Sequence, residues 1–259
     1  MEVDRYEHGV PSWVDLGTPD IPKAIEFYSR LFGWQIEQGP PEAGGYSMAM
    51  YQGKPAAGIG PQMNPGPPYW TTYVTVDSAD DALARAKEAG GKVIVEGMDV
   101  MDVGRMGVIM DPIGAVISVW EPRAHQGAGI VNEPNTYSWS ELVTTDTEAS
   151  KQFYSAVFGW GSETHGEGGP MAYTEWKVAG RSVGGMMKKP PMMPAEVPPH
   201  WGVYFSVDGT EAAMDKVKEL GGQVLMGPMD VEPGKIAVVQ DPQGAVFNII
   251  TLAPQRTEG

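Results

Sequence analysis

Residues 12–34 read SWVDLGTPDIPKAIEFYSRLFGW, and residues 138–160 read SWSELVTTDTEASKQFYSAVFGW. The two stretches align without a gap at an offset of 126. Trp13 meets Trp139, Asp15 meets Glu141, Asp20 meets Asp146, and Phe32-Gly33-Trp34 meets Phe158-Gly159-Trp160. A second pair follows: WTTYVTVDSADDALARAKEAGGKV at 70–93 and WGVYFSVDGTEAAMDKVKELGGQV at 201–224. Each is followed by Asp-Pro-x-Gly-Ala-Val, starting at Asp111 and at Asp241. Similarity at a fixed offset along the whole chain is the mark of a tandem duplication. The halves meet near His125-Gln126-Gly127-Ala128-Gly129, which predicts domains over 1–125 and 130–259.

Each half divides again. Trp13, Trp70, Trp139 and Trp201 each precede an Asp (Asp20, Asp77, Asp146, Asp208) by seven residues. The repeat predicts four modules, each opening with a strand and continuing into a helix with an Asp at or near its N-cap. An Asp there accepts hydrogen bonds from the free N–H groups of the first turn, and Pro22 fits a first turn. Ile25, Tyr28 and Phe32 recur at helical spacing, as do Met214, Val217 and Leu220. Gly33, Gly90, Gly159 and Gly221 stand where a left-handed residue ends a helix. Strand-like runs such as 92–95 and 108–110 follow, separated by turn signals. The module is βαβββ, and the fold class is α+β.

The chain of 259 residues carries 33 acidic and 18 basic residues, a formal charge of -15. That balance argues against nucleic acid, whose phosphates need concentrated Lys and Arg. It argues equally against an anionic membrane surface. No Cys is present, which excludes disulfides, thiolate catalysis and zinc-thiolate sites. No apolar run of spanning length or secretory signal is legible, so a cytoplasmic protein with no membrane partner is expected. The acidic surface predicts no oligomeric state.

These elements resemble the vicinal oxygen chelate superfamily of glyoxalase I, bleomycin-resistance proteins and extradiol dioxygenases, in particular its two-domain actinobacterial members. The opening strand with its Asp-capped helix, Phe-Tyr-x4-Gly-Trp, Gly-Gly after the second helix and Asp-Pro-x-Gly carry the resemblance. It implies that paired modules curl into two half-open barrels around cavities, with helices outside. It also implies a divalent metal held by His, Gln or Glu on the opening strands and by Glu on the closing strands. The corresponding positions here are Trp13, Trp70 and Ser118 in one half, and Trp139, Trp201 and Asn248 in the other. An indole has no in-plane lone pair for a cation. His8, His125, His165 and His200 form no ligand-spaced pair. No metal or other cofactor is therefore expected.

The six positions become candidate ligand-binding residues instead, with the four indoles stacking on a flat or aromatic small molecule. The bland alternative is that the indoles fill the barrels; Trp34 and Trp160, just past helix ends, read as core. If Trp13 and Trp139 face a cavity, strand alternation brings Asp15 and Glu141 to the same face. A carboxylate in an apolar cavity has a raised pKa suited to acid–base work, so these two are the candidate catalytic residues; a structural hydrogen bond is the competing reading. Pro/Met-rich stretches at 61–68 and 186–194 are candidate lids, with Lys188-Lys189 as a solvated pair. Two functions stay open: a protein that sequesters a flat small molecule, cationic or neutral, and a metal-independent enzyme, including glyoxalase-type aldehyde detoxification.

Overall fold

The structure, a computed structural model, describes residues 1–63, 65–169 and 172–253. The first half contains β1 (Pro11–Thr18), α1 (Ile21–Phe32), β2 (Gln35–Gln38), β3 (Ser47–Tyr51), β4 (Lys54–Pro61), β5 (Tyr69–Thr75), α2 (Ala79–Glu88), β6 (Lys92–Val100), β7 (Gly104–Met110) and β8 (Val116–Pro122). The second repeats it as β9 (Tyr137–Thr144), α3 (Thr147–Phe158), β10 (Gly161–His165), β11 (Tyr173–Val178), β12 (Arg181–Lys188), β13 (His200–Ser206), α4 (Thr210–Glu219), β14 (Gln223–Val231), β15 (Gly234–Gln240) and β16 (Val246–Leu252). The four modules are βαβββ. Each half forms one eight-stranded mixed sheet, in the orders β2-β3-β4-β1-β5-β8-β7-β6 and β10-β11-β12-β9-β13-β16-β15-β14. The modules of one half pair with each other through β1–β5 and β9–β13, both antiparallel. The sheets remain open at both ends.

The helices start and stop on local chemistry. Asp20 accepts from the Lys23 N–H at 3.2 Å and Asp146 from the Ala149 N–H at 3.0 Å. Gly33 and Gly159 end α1 and α3 at φ of 71° and 72°, where a Cβ would be strained. In the other two helices the Asp stands near the N-cap rather than at it: Ser78 caps α2, and Gly209 stands at the N-cap of α4. Asp77 and Asp208 lie one residue too early.

The helix-bearing faces of the two sheets turn toward each other. At the centre, Thr72 Oγ1 of β5 lies 2.6 Å from Ser140 Oγ of β9, both buried. Around them α1 packs its Phe32 on Phe205 and its Tyr28 on Phe247 of the other half. Trp34 donates to the Asn135 carbonyl and Trp160 to the Gly9 carbonyl, so both are core. The other face of each sheet is concave and looks outward.

Candidate functional site

On β1 the side chains of Val14 and Leu16 are fully buried against the helices, and Trp13 and Asp15 take the concave face. The register extends that face. Asp15 lies opposite Gly58 of β4 and Thr71 of β5, Trp13 opposite Tyr73, and Tyr73 opposite Ser118 of β8. Tyr46 arches over from the loop before β3. Its hydroxyl donates to Asp15 Oδ2 at 3.3 Å and accepts from Trp13 Nε1 at 2.9 Å. Tyr73 donates to the same Oδ2 at 2.9 Å, leaving Oδ1 without a protein partner among the described residues. Trp13 packs edge-on against His125 at 4.5 Å, and His125 also faces Trp120.

The second half rebuilds this arrangement. Glu141 lies opposite Gly185 of β12 and Gly202 of β13, Trp139 opposite Tyr204, and Tyr204 opposite Asn248. Tyr204 donates to Glu141 Oε1 at 2.8 Å, and Trp139 Nε1 donates to the Tyr173 hydroxyl at 3.0 Å. Tyr173 also faces Glu141 and lowers its pKa against the effect of burial. A glycine beneath each arching tyrosine is obligatory: a Cβ on Gly58 or on Gly185 would lie 1.8 Å from the Tyr46 or Tyr173 hydroxyl.

Burial sets the electrostatics. Desolvation pushes the Asp15 carboxyl up to about 7, against the opposing hydrogen bonds from Tyr73 and Tyr46. It raises Glu141 as well, against Tyr204 and Tyr173. Tyr46, Tyr73 and Tyr204 are held well above 10, first by burial and then by the carboxylate they face, so they act as neutral donors. Burial lowers the His125 imidazole to about 4.

The structure does not bring Trp70 and Trp201 to this centre, and their expected place there is corrected. Trp70 lies opposite Leu16 on the helix side, donates to the Tyr28 hydroxyl of α1 at 3.1 Å and packs on Phe205. Trp201 lies opposite Leu142, donates to the Tyr154 hydroxyl of α3 at 2.9 Å and packs on Trp160. The cause is the displaced helix caps. Seven residues before the true caps stand Thr71 and Gly202, and a one-residue slip in a strand exchanges its faces. Ser118 is fully buried beside Tyr73, and Asn248 donates to the Val203 carbonyl at 3.3 Å.

The loops and histidines complete the picture. Met186–Lys188 belong to β12 rather than to a loop, and Lys189 closes the following segment by donating to the Ala195 and Val197 carbonyls. The first candidate lid includes Asn64, which lies outside the described residues. His165 has metal-ligating company that its sequence neighbours do not reveal: Glu163, His165 and Glu175 place one ligand atom each within 4.8 Å of one another, on β10 and β11. Lys177 Nζ already lies 3.0 Å from Glu163 and 2.5 Å from Glu175, in the place of a cation.

A model of the "Glyoxalase/Bleomycin resistance protein/Dioxygenase superfamily" matches residues 11–119 and again 127–249. The chain belongs to this superfamily. Among superfamily proteins, "Putative glyoxylase CFP32" of Mycobacterium tuberculosis is 41% identical over 260 residues, covering 97% of this chain and 98% of its own. "Anthracycline biosynthesis protein DnrV" of Streptomyces peucetius is 35% identical over 264 residues, covering 96% and 95%. The fold is shared with a Mn(II)-bound glyoxalase from Novosphingobium aromaticivorans, at a TM-score of 0.65 and 16% identity over 95% of this chain and 83% of that one. The 2,3-dioxygenase LapB from Pseudomonas sp. KL28 matches at a TM-score of 0.64 and 14% identity over 98% and 97%. A metal such as the Mn(II) of that glyoxalase finds a poor ligand set at the cleft centres here. The first centre offers one carboxylate clasped by protonated phenols, with the single imidazole of His125 beside Trp13, and the second one carboxylate so clasped, whereas divalent transition metals take several carboxylate, imidazole or thiolate ligands.

Proposed function

We propose that this superfamily member binds a small, flat aromatic molecule in its outward-facing clefts, with no metal at their centres. The observation that carries the reading is the repeated set of indole, carboxylate and two tyrosine hydroxyls, Trp13-Asp15-Tyr46-Tyr73 and Trp139-Glu141-Tyr173-Tyr204. Trp139 supplies a half-open apolar face and Trp13 a nearly closed one behind Tyr46 and His125, and the carboxylates supply one oriented polar contact each; ligand pockets commonly combine the two. The anthracycline in the name of the Streptomyces relative is a flat polycycle, which agrees with this reading. Among the described residues no helix is long and apolar enough to cross a membrane.

A metal-independent acid–base enzyme is the second reading. The Asp15 carboxyl, near 7 and with Oδ1 unpartnered among the described residues, favours it, because a group titrating near neutrality both gives and takes a proton. Aldehyde detoxification of the glyoxalase type belongs to this second reading.

Fluorescence titration with 1,4-dihydroxyanthraquinone tests the binding reading. Quenching is expected, and Trp13→Ala is expected to weaken binding at least about tenfold, roughly 1.4 kcal/mol. Trp70→Phe, on the helix side, is expected to leave affinity unchanged, as is prior treatment with EDTA. Binding that ignores both Trp13→Ala and Trp139→Ala, or that disappears with EDTA, would refute this reading.

A further inference from the structure

The duplicated strands allow the two clefts to be compared position by position. Their centres match: Asp15 with Glu141, Tyr46 with Tyr173, and Tyr73 with Tyr204. Their walls do not. Met48 of β3 lies opposite Gly58, and the residue placed likewise opposite Gly185 is Glu175. Trp120 lies opposite Met106 in the first sheet, and Ile250 lies opposite Ile236 in the second.

The N-terminal cleft thus has Trp13, Met48, Met106, Trp120 and the neutral His125 around one carboxyl. The C-terminal cleft has charge on its wall. Glu175 is bound by Lys177 and by the Ser182 hydroxyl, Lys177 also reaches Glu163, and Tyr173 feels both Glu141 and Glu175. Counted alike, each cleft edge carries one excess carboxylate, Glu37 opposite Met48 in the first and one of Glu163 and Glu175 beyond Lys177 in the second, so the difference lies in Glu175 standing in the place of Met48 beside the centre. Trp139 is also the more open indole, half-buried where Trp13 is 4% exposed.

Placing a neutral polycycle on the first wall, against the half-exposed Met48, Met106 and His125, removes apolar surface from water on both partners. Placing it on the second would strip water from charged groups without replacing their hydrogen bonds, which is unfavourable. A ligand with its own positive charge is favoured there instead, by coulombic attraction and by the face of Trp139.

We infer that the two clefts serve different ligands: the N-terminal one takes a neutral flat aromatic, the C-terminal one a flat aromatic bearing a cationic group, with Met48 and Glu175 deciding between them. This division rests on the small-molecule reading above. It assigns the duplication two specificities rather than two copies of one.

Isothermal titration of the full chain at pH 6, where Asp15 is largely protonated, tests it with two probes. One site per chain is expected for 1,4-dihydroxyanthraquinone, weakened at least tenfold by Trp13→Ala and by Met48→Glu and unaffected by Trp139→Ala. Glu175→Met is expected to add a second site for it. Proflavine, a flat cation, is expected to bind one site that Trp139→Ala and Glu175→Met each weaken at least tenfold and Trp13→Ala does not. Two equivalent anthraquinone sites in the unaltered chain would overturn the division, as would a Glu175→Met chain that gains none. If the anthraquinone does not bind at all, the small-molecule reading fails for the N-terminal cleft, and the proflavine arm still decides the other. Proflavine binding indifferent to Glu175→Met overturns the assignment of Glu175. Should Met48→Glu fail to fold by circular dichroism, the Glu175→Met arms carry the test alone.

Discussion

Replacing Asp111 by Ala is expected to lower the unfolding free energy by roughly 3–5 kcal/mol, read as a fall in the urea midpoint. Asp111 is 2% exposed. Its Oδ1 accepts from the backbone N–H groups of Ile113, Gly114 and Ala115 at 2.7–2.9 Å. Its Oδ2 accepts from the hydroxyl of Tyr154, on α3 of the other half, at 3.0 Å. Tyr154 in turn accepts from Trp201 Nε1. Removing the carboxylate leaves several donors without partners, each costing about 1–3 kcal/mol when buried. Asp241, Tyr28 and Trp70 form the mirror-image lock. Asp241→Ala is expected to cost as much, and the pair joins the halves into one packed body. A loss below about 1 kcal/mol in both variants would show that these chains of hydrogen bonds do not hold the halves.

Asp15→Asn is expected to act in the opposite direction on stability. Asp15 ionises near 3.8 when unfolded and near 7 when folded, so the folded chain holds the proton more tightly. Its contribution to stability is fully present below about 4 and is lost as pH rises through 7. Each tenfold difference in proton affinity between the two states is worth about 1.4 kcal/mol, so the loss is at most about 4 kcal/mol, reduced by water in the cleft. Asn keeps an oxygen to accept from Tyr46 and Tyr73 and has no proton to lose. The variant is therefore expected to be more stable than the unaltered chain at pH 8, by roughly 2–4 kcal/mol, and similar to it at pH 4. Affinity for a ligand that uses the carboxyl should meanwhile fall by roughly 1–3 kcal/mol. Urea denaturation at the two pH values measures the first effect. Parallel pH profiles for both chains would contradict it.

Much of this was legible in the letters. The gapless match of 12–34 with 138–160 implied the duplication, and the Asp20 and Asp146 caps, with Gly33 and Gly159 behind them, bounded α1 and α3. Trp13, Asp15, Trp139 and Glu141 take the same face of their strands because residues two apart on a strand always do. Trp70 and Trp201 escaped because a count of seven depends on which residue caps the helix, and Ser78 rather than Asp77 does so for α2. The clasping tyrosines were also missed. Tyr73 and Tyr204 align within the second repeat, so a search for identical residues would have found them. Tyr46 and Tyr173 needed an offset of 127 in place of 126 and a neighbouring glycine, Gly58 or Gly185, whose purpose appears only when the ring lies across it. Glu175 joins Glu163 and His165 across a strand pair, a neighbourhood that linear spacing does not encode.

On the proposed function, ligand is received on the concave faces, at the carboxylates, rather than among the indoles beneath the helices. A crystal structure of the chain with 1,4-dihydroxyanthraquinone tests it most directly. A flat ring is expected beside Trp13, with an oxygen within hydrogen-bond reach of Asp15 Oδ1 or the Tyr73 hydroxyl. Density for the ring in the helix layer beside Trp70 or Trp201, or on the surface away from Asp15 and Glu141, would contradict it.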